Sequence, residues 1–478
     1  MTLTKRDYGF LLAGVLLLAV GIVLGLAGLG AVVHVPGVLV RWAGVALLAG
    51  YALRRRTLTP WIFVAMVAGA ELGIDTPHFA VGLRVFSDIF LRLIKTIVAP
   101  LILATLITGI AGHGDLKSVG RMAWKSLVYF EVITTLALVI GLVAIHVTKA
   151  GVGLAMPTMS AAGVVPDNGA AMSMAPGAHG KDAAPSWQEF MLHVFPENLV
   201  KSIAEGQILQ VSVFGVFFGI ALAALPEGKR APVLLLTESI SEVMFQFTNI
   251  VMYFAPVAVG AALAYTVGQM GAGVLVNLGK LVLTYYGALV ALAALVLVPV
   301  MLLFRIPVLG FARAVAEPAS IAFATSASEA ALPRAMEAME AFGVPRKIVA
   351  FVIPAGYSFN MDGAAVYLTL ASMFVAQAAG LHLSLGEQIG MVLLLMLASK
   401  GVSGVPRATL MVLMATAASL RLPAEPIFVI LGVDAVMDMG RTTANVVGNC
   451  LASAVVAQWE GEFRREAAST VVLEGMAE

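Results

Sequence analysis

The chain has 478 residues, 60% hydrophobic and only 12% charged, with a formal net charge of +1 and a mean hydropathy of +0.96. That is more apolar surface than a soluble domain of this length can bury, so the chain reads as a polytopic membrane protein. The near-neutral charge gives no reason to expect a nucleic-acid partner. A single cysteine, Cys450, excludes an internal disulfide and a cysteine metal cluster.

Taken in chain order, Lys5 and Arg6 precede an apolar run from about 8 to 33 that is too long, and too poor in cleavage-site character, for a signal peptide. A second run, about 36 to 53, follows the short break "HVPG" and ends on Arg54, Arg55 and Arg56, which predicts a helical hairpin with both basic ends cytoplasmic. Further runs lie near 60–75, 86–112, 122–148, 197–225, 231–266 and 273–304. Each is about as long as a helix that crosses a 30 Å hydrocarbon core, and the ten-residue alternation of a transmembrane barrel is absent. Residues 150–195, rich in Gly, Ala, Met and Pro, read as a flexible external loop.

The last third is different, because its apolar segments are interrupted by Gly, Pro, Ser and charged residues. Backbone released from a helix inside a membrane must be satisfied by protein, ions or water, so such breaks belong beside cavities. Residues 326–334 read "SASEAALPR" and residues 399–407 read "SKGVSGVPR". About thirty residues after each Pro-Arg comes a polar, Asp-containing helix break, "NMDG" at 360–363 and "DMGRTTAN" at 438–445. The spacing predicts two re-entrant hairpins, about 314–342 and 387–421, each followed by a broken helix and related as an inverted repeat, with a transport site between them. Gly363 is expected to allow a backbone excursion at no Cβ cost.

With "SASEAALP", "GYSFNMDG", "GVSGVPR" and "DAVMDMGRTTANVVGN" in this order, and "FPENLVKSIAEGQILQVSVFGVFFGIAL" upstream, residues 60 to 463 resemble the dicarboxylate/amino acid:cation symporters that include the glutamate transporters. The likeness is to the bacterial proton/sodium glutamate-aspartate type. It implies an all-α polytopic fold with two re-entrant hairpins, a plasma-membrane location, and a homotrimer whose mobile domains move as elevators. On that pattern 1–58 is an extra N-terminal transmembrane hairpin and 59–149 holds the first core helices. Residues 150–195 are the external loop, 196–312 scaffold and trimerisation helices, 313–463 the transport core and 464–478 a cytoplasmic tail.

Arg441 sits among apolar neighbours and needs an anion, since an unpaired charge at membrane depth costs about 2.5–3.5 kcal/mol on insertion scales. Its planar guanidinium suits a carboxylate. Two anions offer themselves: a substrate's side-chain carboxylate, which the resemblance implies, or an internal partner, Asp438 or Asp434. Asp438, one turn before Arg441, could bind a cation such as a substrate ammonium; the resemblance, whose dicarboxylate branch lacks an acid at this position, implies aspartate or glutamate. By resemblance, Thr442 and Asn445 bind the substrate's main-chain groups, and Ser328, Ser326, Val402 and Gly404 at the two hairpin tips complete the cradle. Glu329 and Arg407 beside the tips form a candidate gate.

For coupling, the resemblance implicates Gly356, Ser358, Asn360, Asp362, Asp434 and Asn449, with Thr134, Thr135, Asn360 and Asp362 resembling a sodium-site set. Departures point to protons instead. Asn449 is an amide where sodium-coupled members carry an acid, Ala364 lacks a hydroxyl, and Lys400 and Val402 stand where sodium sites want an uncharged residue and a hydroxyl. Glu131, in "YFEVITTLAL", places a carboxylate in an apolar helix, whose surroundings disfavour the charged form and suit a proton carrier; a static partner for Lys400 is the alternative. No cofactor is expected, and the ligand is a small acidic amino acid or dicarboxylate. A hydrolase is disfavoured, since His382 falls in an external loop and no HExxH or nucleophile elbow appears. A channel is disfavoured by the paired hairpins. A C4-dicarboxylate:proton symporter and a sodium-coupled glutamate/aspartate symporter are the alternatives within the carrier class.

Overall fold

The computed structural model describes residues 13–18, 20, 30–55, 58–112, 118–154, 195–204, 208–399, 408–417, 420, 422–423 and 425–464. Among these every regular element is helical, as the apolar runs predict. Helix α1 (Gly30–Arg55) leads into α2 (Leu58–Asp75), followed by α3 (Pro77–Gly82), α4 (Arg84–Ala111) and α5 (Ser118–Thr148). Next come α6 (Leu199–Ala204), α7 (Ile208–Ala223), α8 (Glu227–Met252), α9 (Ala255–Met270), α10 (Val274–Leu292), a π-helical turn (Ala293–Leu297) and α11 (Val298–Leu303). The last third holds α12 (Val308–Thr325), α13 (Ser328–Ala341), α14 (Arg346–Phe359), α15 (Asp362–Ala378), α16 (Leu385–Ser399), α17 (Ala408–Ala417), α18 (Glu425–Leu431) and α19 (Asp434–Glu460). Among the described residues six helical stretches are long and apolar enough to cross a membrane.

The chain departs from the sequence reading at three places. Helix α1 runs unbroken through His34 to Gly37, where "HVPG" suggests a break; membrane helices tolerate such residues when neighbours re-satisfy the backbone. The run 231–266 is two helices, α8 and α9, bent by 52°, with Pro256 in the first turn of α9. Finally, α19 continues through 438–445, and the break falls earlier, at Gly432 and Val433. Polar residues inside α19 bond to one another and to neighbouring helices, so they do not need to unwind it.

Helix α1 is fixed to α2 by charge as well as by packing. Leu18, Val45, Leu48, Ala52 and Val64 form one buried cluster. Above it, Arg41 donates to Glu71 Oε2 and Asp75 Oδ1, both at 2.6 Å, and Trp42 Nε1 donates to Asp75 Oδ2 at 2.9 Å. Helix α2 in turn meets α9 so closely that a Cβ on Gly73 would lie 2.9 Å from the Ala264 carbonyl oxygen. Small residues allow such contact where lipid supplies no hydrophobic drive for association.

Hairpin α12/α13 and the broken helix α14/α15 occupy the centre. The 346–378 stretch has span-like composition, yet 94% of its apolar window is buried inside protein, as an interrupted helix requires. The first hairpin spans 308–341 and the second, α16/α17, 385–417, close to the expected 314–342 and 387–421. Its tip, with Lys400, Val402, Gly404 and Arg407, lies outside the described residues. So do most of the 150–195 loop and all but the first residue of 464–478.

Candidate functional site

Three elements converge on α19: the tip of the first hairpin, the broken helix, and α10. The tip turns at Ser326, which adopts the left-handed region (φ 52°, ψ 26°). Thr325 Oγ1 accepts from Ala327 N at 3.3 Å and stabilises that turn. Ser328 begins α13 and is buried, while Ser326 is half-buried. The side chains of Glu329 and Ser358 lie outside the description.

The helix break itself is two non-helical residues, Asn360 (φ −118°, ψ 90°) and Met361 (φ −116°, ψ 62°), after which α15 restarts at Asp362. Gly363 does not adopt positive φ, so the expected excursion gives way to a different requirement. A Cβ there would lie 2.9 Å from Ala444 Cβ and 3.0 Å from Arg441 Cα, so glycine allows α15 to dock on α19. The buried amides at the start of α15, which have no partner within their own helix, are capped from across the interface: Asn445 Oδ1 accepts from Gly363 N at 2.8 Å and from Ala364 N at 3.3 Å. Asn445 therefore ties the start of α15 to α19, a role its position in the motif does not disclose.

A fully buried polar knot joins the same interface. Asn360 Nδ2 donates to Asp362 Oδ2 at 3.2 Å and to Asn449 Oδ1 at 3.0 Å. Gly448 lies against it, where a Cβ would sit 3.1 Å from Asp362 Cγ and 3.4 Å from Asn360 Nδ2. Asn449 in turn packs on the backbone of Gly356. From α5, the buried Tyr129 hydroxyl is within electrostatic reach of Asp362. Tyr129 Oη, Thr134 Oγ1 and Asn360 Oδ1 are buried, with no hydrogen-bond partner among the described residues. Thr135 is separated from this group: it is exposed, and its hydroxyl donates to the Glu131 carbonyl at 2.7 Å. Glu131 is half-buried on the same helix.

The charged centre lies closer to the start of α19. Arg441 and Asp438 are both buried, and Nε donates to Asp438 Oδ1 at 2.5 Å. Arg441 Nη2 also donates to Thr442 Oγ1 at 3.2 Å. This is the internal pair the sequence left open beside substrate binding. Asp434, within electrostatic reach of Arg441, accepts from the Tyr367 hydroxyl at 2.6 Å. Helix α10 braces both α15 and α19: Tyr285 donates to the Gly363 carbonyl at 3.0 Å and Tyr286 to the Val436 carbonyl at 2.7 Å. Sequence reasoning missed Tyr129, Tyr285, Tyr286, Tyr367 and Gly448. The available signals were the Tyr285–Tyr286 doublet in an apolar run and a tyrosine five residues beyond Asp362.

Comparison with known proteins follows the same boundaries. Residues 58–459 match the model of the sodium:dicarboxylate symporter family. The chain is 41% identical to the proton/glutamate-aspartate symporter of Escherichia coli (strain K12), over 85% of this chain and 94% of that protein. It is 36% identical to a proton/sodium-glutamate symport protein of Bacillus caldotenax, over 87% and 97%. It is 39% identical to a C4-dicarboxylate transport protein of Solibacter usitatus, over 86% and 94%. With a polytopic all-helical fold and a family model covering most of its length, the chain belongs to the sodium:dicarboxylate symporter family and is a multi-pass plasma-membrane symporter, not an enzyme.

Proposed function

We propose that this symporter imports an acidic amino acid, L-aspartate or L-glutamate, together with protons. The buried Asp438–Arg441 pair carries the reading. It offers one fixed positive and one fixed negative group a helical turn apart, which matches a ligand bearing a side-chain carboxylate and an ammonium. A guanidinium also binds a carboxylate through two parallel hydrogen bonds. Thr442, Asn445, Ser328 and Ser326, with Val402 and Gly404 of the second tip, would surround the ligand's main-chain groups, and Glu329 with Arg407 would gate them. The name of the Escherichia coli relative fits this substrate class.

Proton coupling is supported by the amide at Asn449, which removes a negative charge from the knot beside Asp362, and by Glu131 on α5 as the candidate carrier. A sodium-coupled reading has its own support: Thr134 Oγ1, Asn360 Oδ1 and Tyr129 Oη offer unshared oxygen atoms, with Asp362 nearby, the ligand type a hard cation takes. Movement would carry hairpins and broken helices together, as an elevator within a homotrimer.

The test is uptake of labelled aspartate, glutamate and succinate into proteoliposomes under separately imposed proton and sodium gradients. Accumulation of the amino acids under a proton gradient without sodium is expected. Accumulation driven by sodium alone, indifferent to pH, would overturn proton coupling. Glu131→Gln is expected to abolish proton-driven accumulation while sparing exchange of labelled for unlabelled substrate.

A further inference from the structure

We infer that Arg84 is a latch between the two bodies of this transporter: it grips Phe428 of α18 in the arrangement described here, and its release sets how long that arrangement lasts. This rests on the proposed movement of hairpins and broken helices, and names a contact that the movement must break.

One body is knitted together by close backbone contact. Ser87 of α4 donates to the Ala258 carbonyl of α9 at 2.9 Å. A Cβ on Gly260 of α9 would lie 2.9 Å from the Ala65 carbonyl oxygen of α2, and one on Gly268 of α9 would lie 3.1 Å from the Pro77 carbonyl oxygen of α3. Backbones packed this tightly do not slide past one another, so α2, α3, α4 and α9 stay as a unit. Helix α18 belongs to the other body, since the chain runs from it through Gly432 and Val433 directly into α19.

Two contacts join α18 to that unit. Gly432 opens a notch for Leu263 of α9: a Cβ there would overlap Leu263 Cδ1 and lie 3.3 Å from its Cγ. This is apolar surface that can part without stranding a polar group. The second contact carries charge. Arg84 opens α4, and its guanidinium lies 5.1 Å from the Tyr265 ring centroid and 5.0 Å from that of Phe428. Both distances fall inside the roughly 6 Å over which a ring face attracts a cation. Arg84 Nη1 also donates to Tyr265 Oη at 3.1 Å, and Asp88 Oδ2 lies 3.6 Å from Nε.

The division of these partners makes a latch instead of a permanent joint. Asp88 on α4 and Tyr265 on α9 travel with Arg84, so the cation keeps a counter-charge and a hydrogen bond when Phe428 leaves. Its side chain is 31% exposed, so water can take the vacated face. The Arg41 cluster is the opposite case: its side chains are at most 13% exposed, and separating them would strand a buried charge. Neither Arg84 nor Phe428 is among the groups read as holding substrate, so the contact bears on the movement and not on the ligand's own bonds.

The experiment follows single molecules of the full-length protein in liposomes, carrying one donor–acceptor dye pair at Phe79→Cys on α3 and Leu385→Cys on α16. Both positions are exposed, while the native Cys450 is buried. Arg84→Leu and Phe428→Leu are each expected to shorten the dwell time at the transfer level matching this structure by about 2- to 30-fold, the range of a cation–π contact. Dwell times at other levels are expected to stay unchanged. The double variant should match Arg84→Leu, because both substitutions remove one contact. Should Arg84→Leu fail to fold, Phe428→Leu carries the test, since it leaves Arg84 with Asp88 and Tyr265. Unchanged dwell times, equal shortening at every level, or additive effects in the double variant would each overturn the inference. A single transfer level with and without aspartate, in protein that still exchanges labelled aspartate, would overturn the underlying reading of movement.

Discussion

Gly448→Ala tests the interface between α19 and the broken helix most directly. The added methyl would sit 3.1 Å from Asp362 Cγ and 3.4 Å from Asn360 Nδ2, and would overlap Asp362 Oδ2. Neither neighbour can yield cheaply. Asp362 and Asn360 are fully buried, and Asn360 is already committed to Asp362 and to Asn449 at 3.2 and 3.0 Å. Overpacking of this kind costs about 1–3 kcal/mol. If the strain falls on the polar knot, the half-saturating concentration of the coupling cation should rise by about 5- to 150-fold. If it falls on the fold, thermal unfolding followed by size-exclusion chromatography should shift down. Cation titration of aspartate uptake together with that melting curve separates the two. Wild-type behaviour in both assays would refute the claim that Gly448 provides room for Asp362.

Three further substitutions probe other parts of the site. Asn445→Ala should leave the Gly363 and Ala364 amides without their shared acceptor, at about 1–3 kcal/mol for a buried unsatisfied donor, and should lower both melting temperature and aspartate affinity. Tyr367→Phe removes the 2.6 Å hydrogen bond to Asp434, worth about 1.5–3 kcal/mol if the acceptor is charged. Substrate affinity in a binding assay and the melting temperature are both expected to fall, since the lost bond is buried. Arg41→Met leaves Glu71 and Asp75 without their shared cation, and breaking a buried pair costs about 3–5 kcal/mol. The melting temperature should fall sharply while substrate affinity in the folded fraction is unchanged.

How far the sequence disclosed this molecule depended on whether a residue's role was local. Ser326 and Ser328 stand out because polar residues interrupt an apolar run, and the turn is there. "NMDG" likewise marks a real break. The second break lies earlier than the polar residues suggest, because polarity need not mean unwinding. Asp438, Arg441 and Asn445 are polar within an intact helix because their partners are one turn away or on α15. The bend between α8 and α9 was passed over although Pro256 signals it. Tyr285, Tyr286 and Gly448 were invisible for another reason: their meaning lies in contacts between distant segments, and a tyrosine or glycine in an apolar helix has many bland roles. The buried ion cluster at Arg41 had visible members, Glu71 and Asp75, but nothing in their spacing joined them.

That cluster also bears on the order in which the protein is made. Arg41 must wait for Glu71 and Asp75, which leave the ribosome thirty and thirty-four residues later. An unpaired arginine within a bilayer is penalised by up to about 3.5 kcal/mol at its centre. Helix α1 therefore cannot settle alone. It reaches its final depth only once α2 has entered beside it, so the two are inserted as a pair.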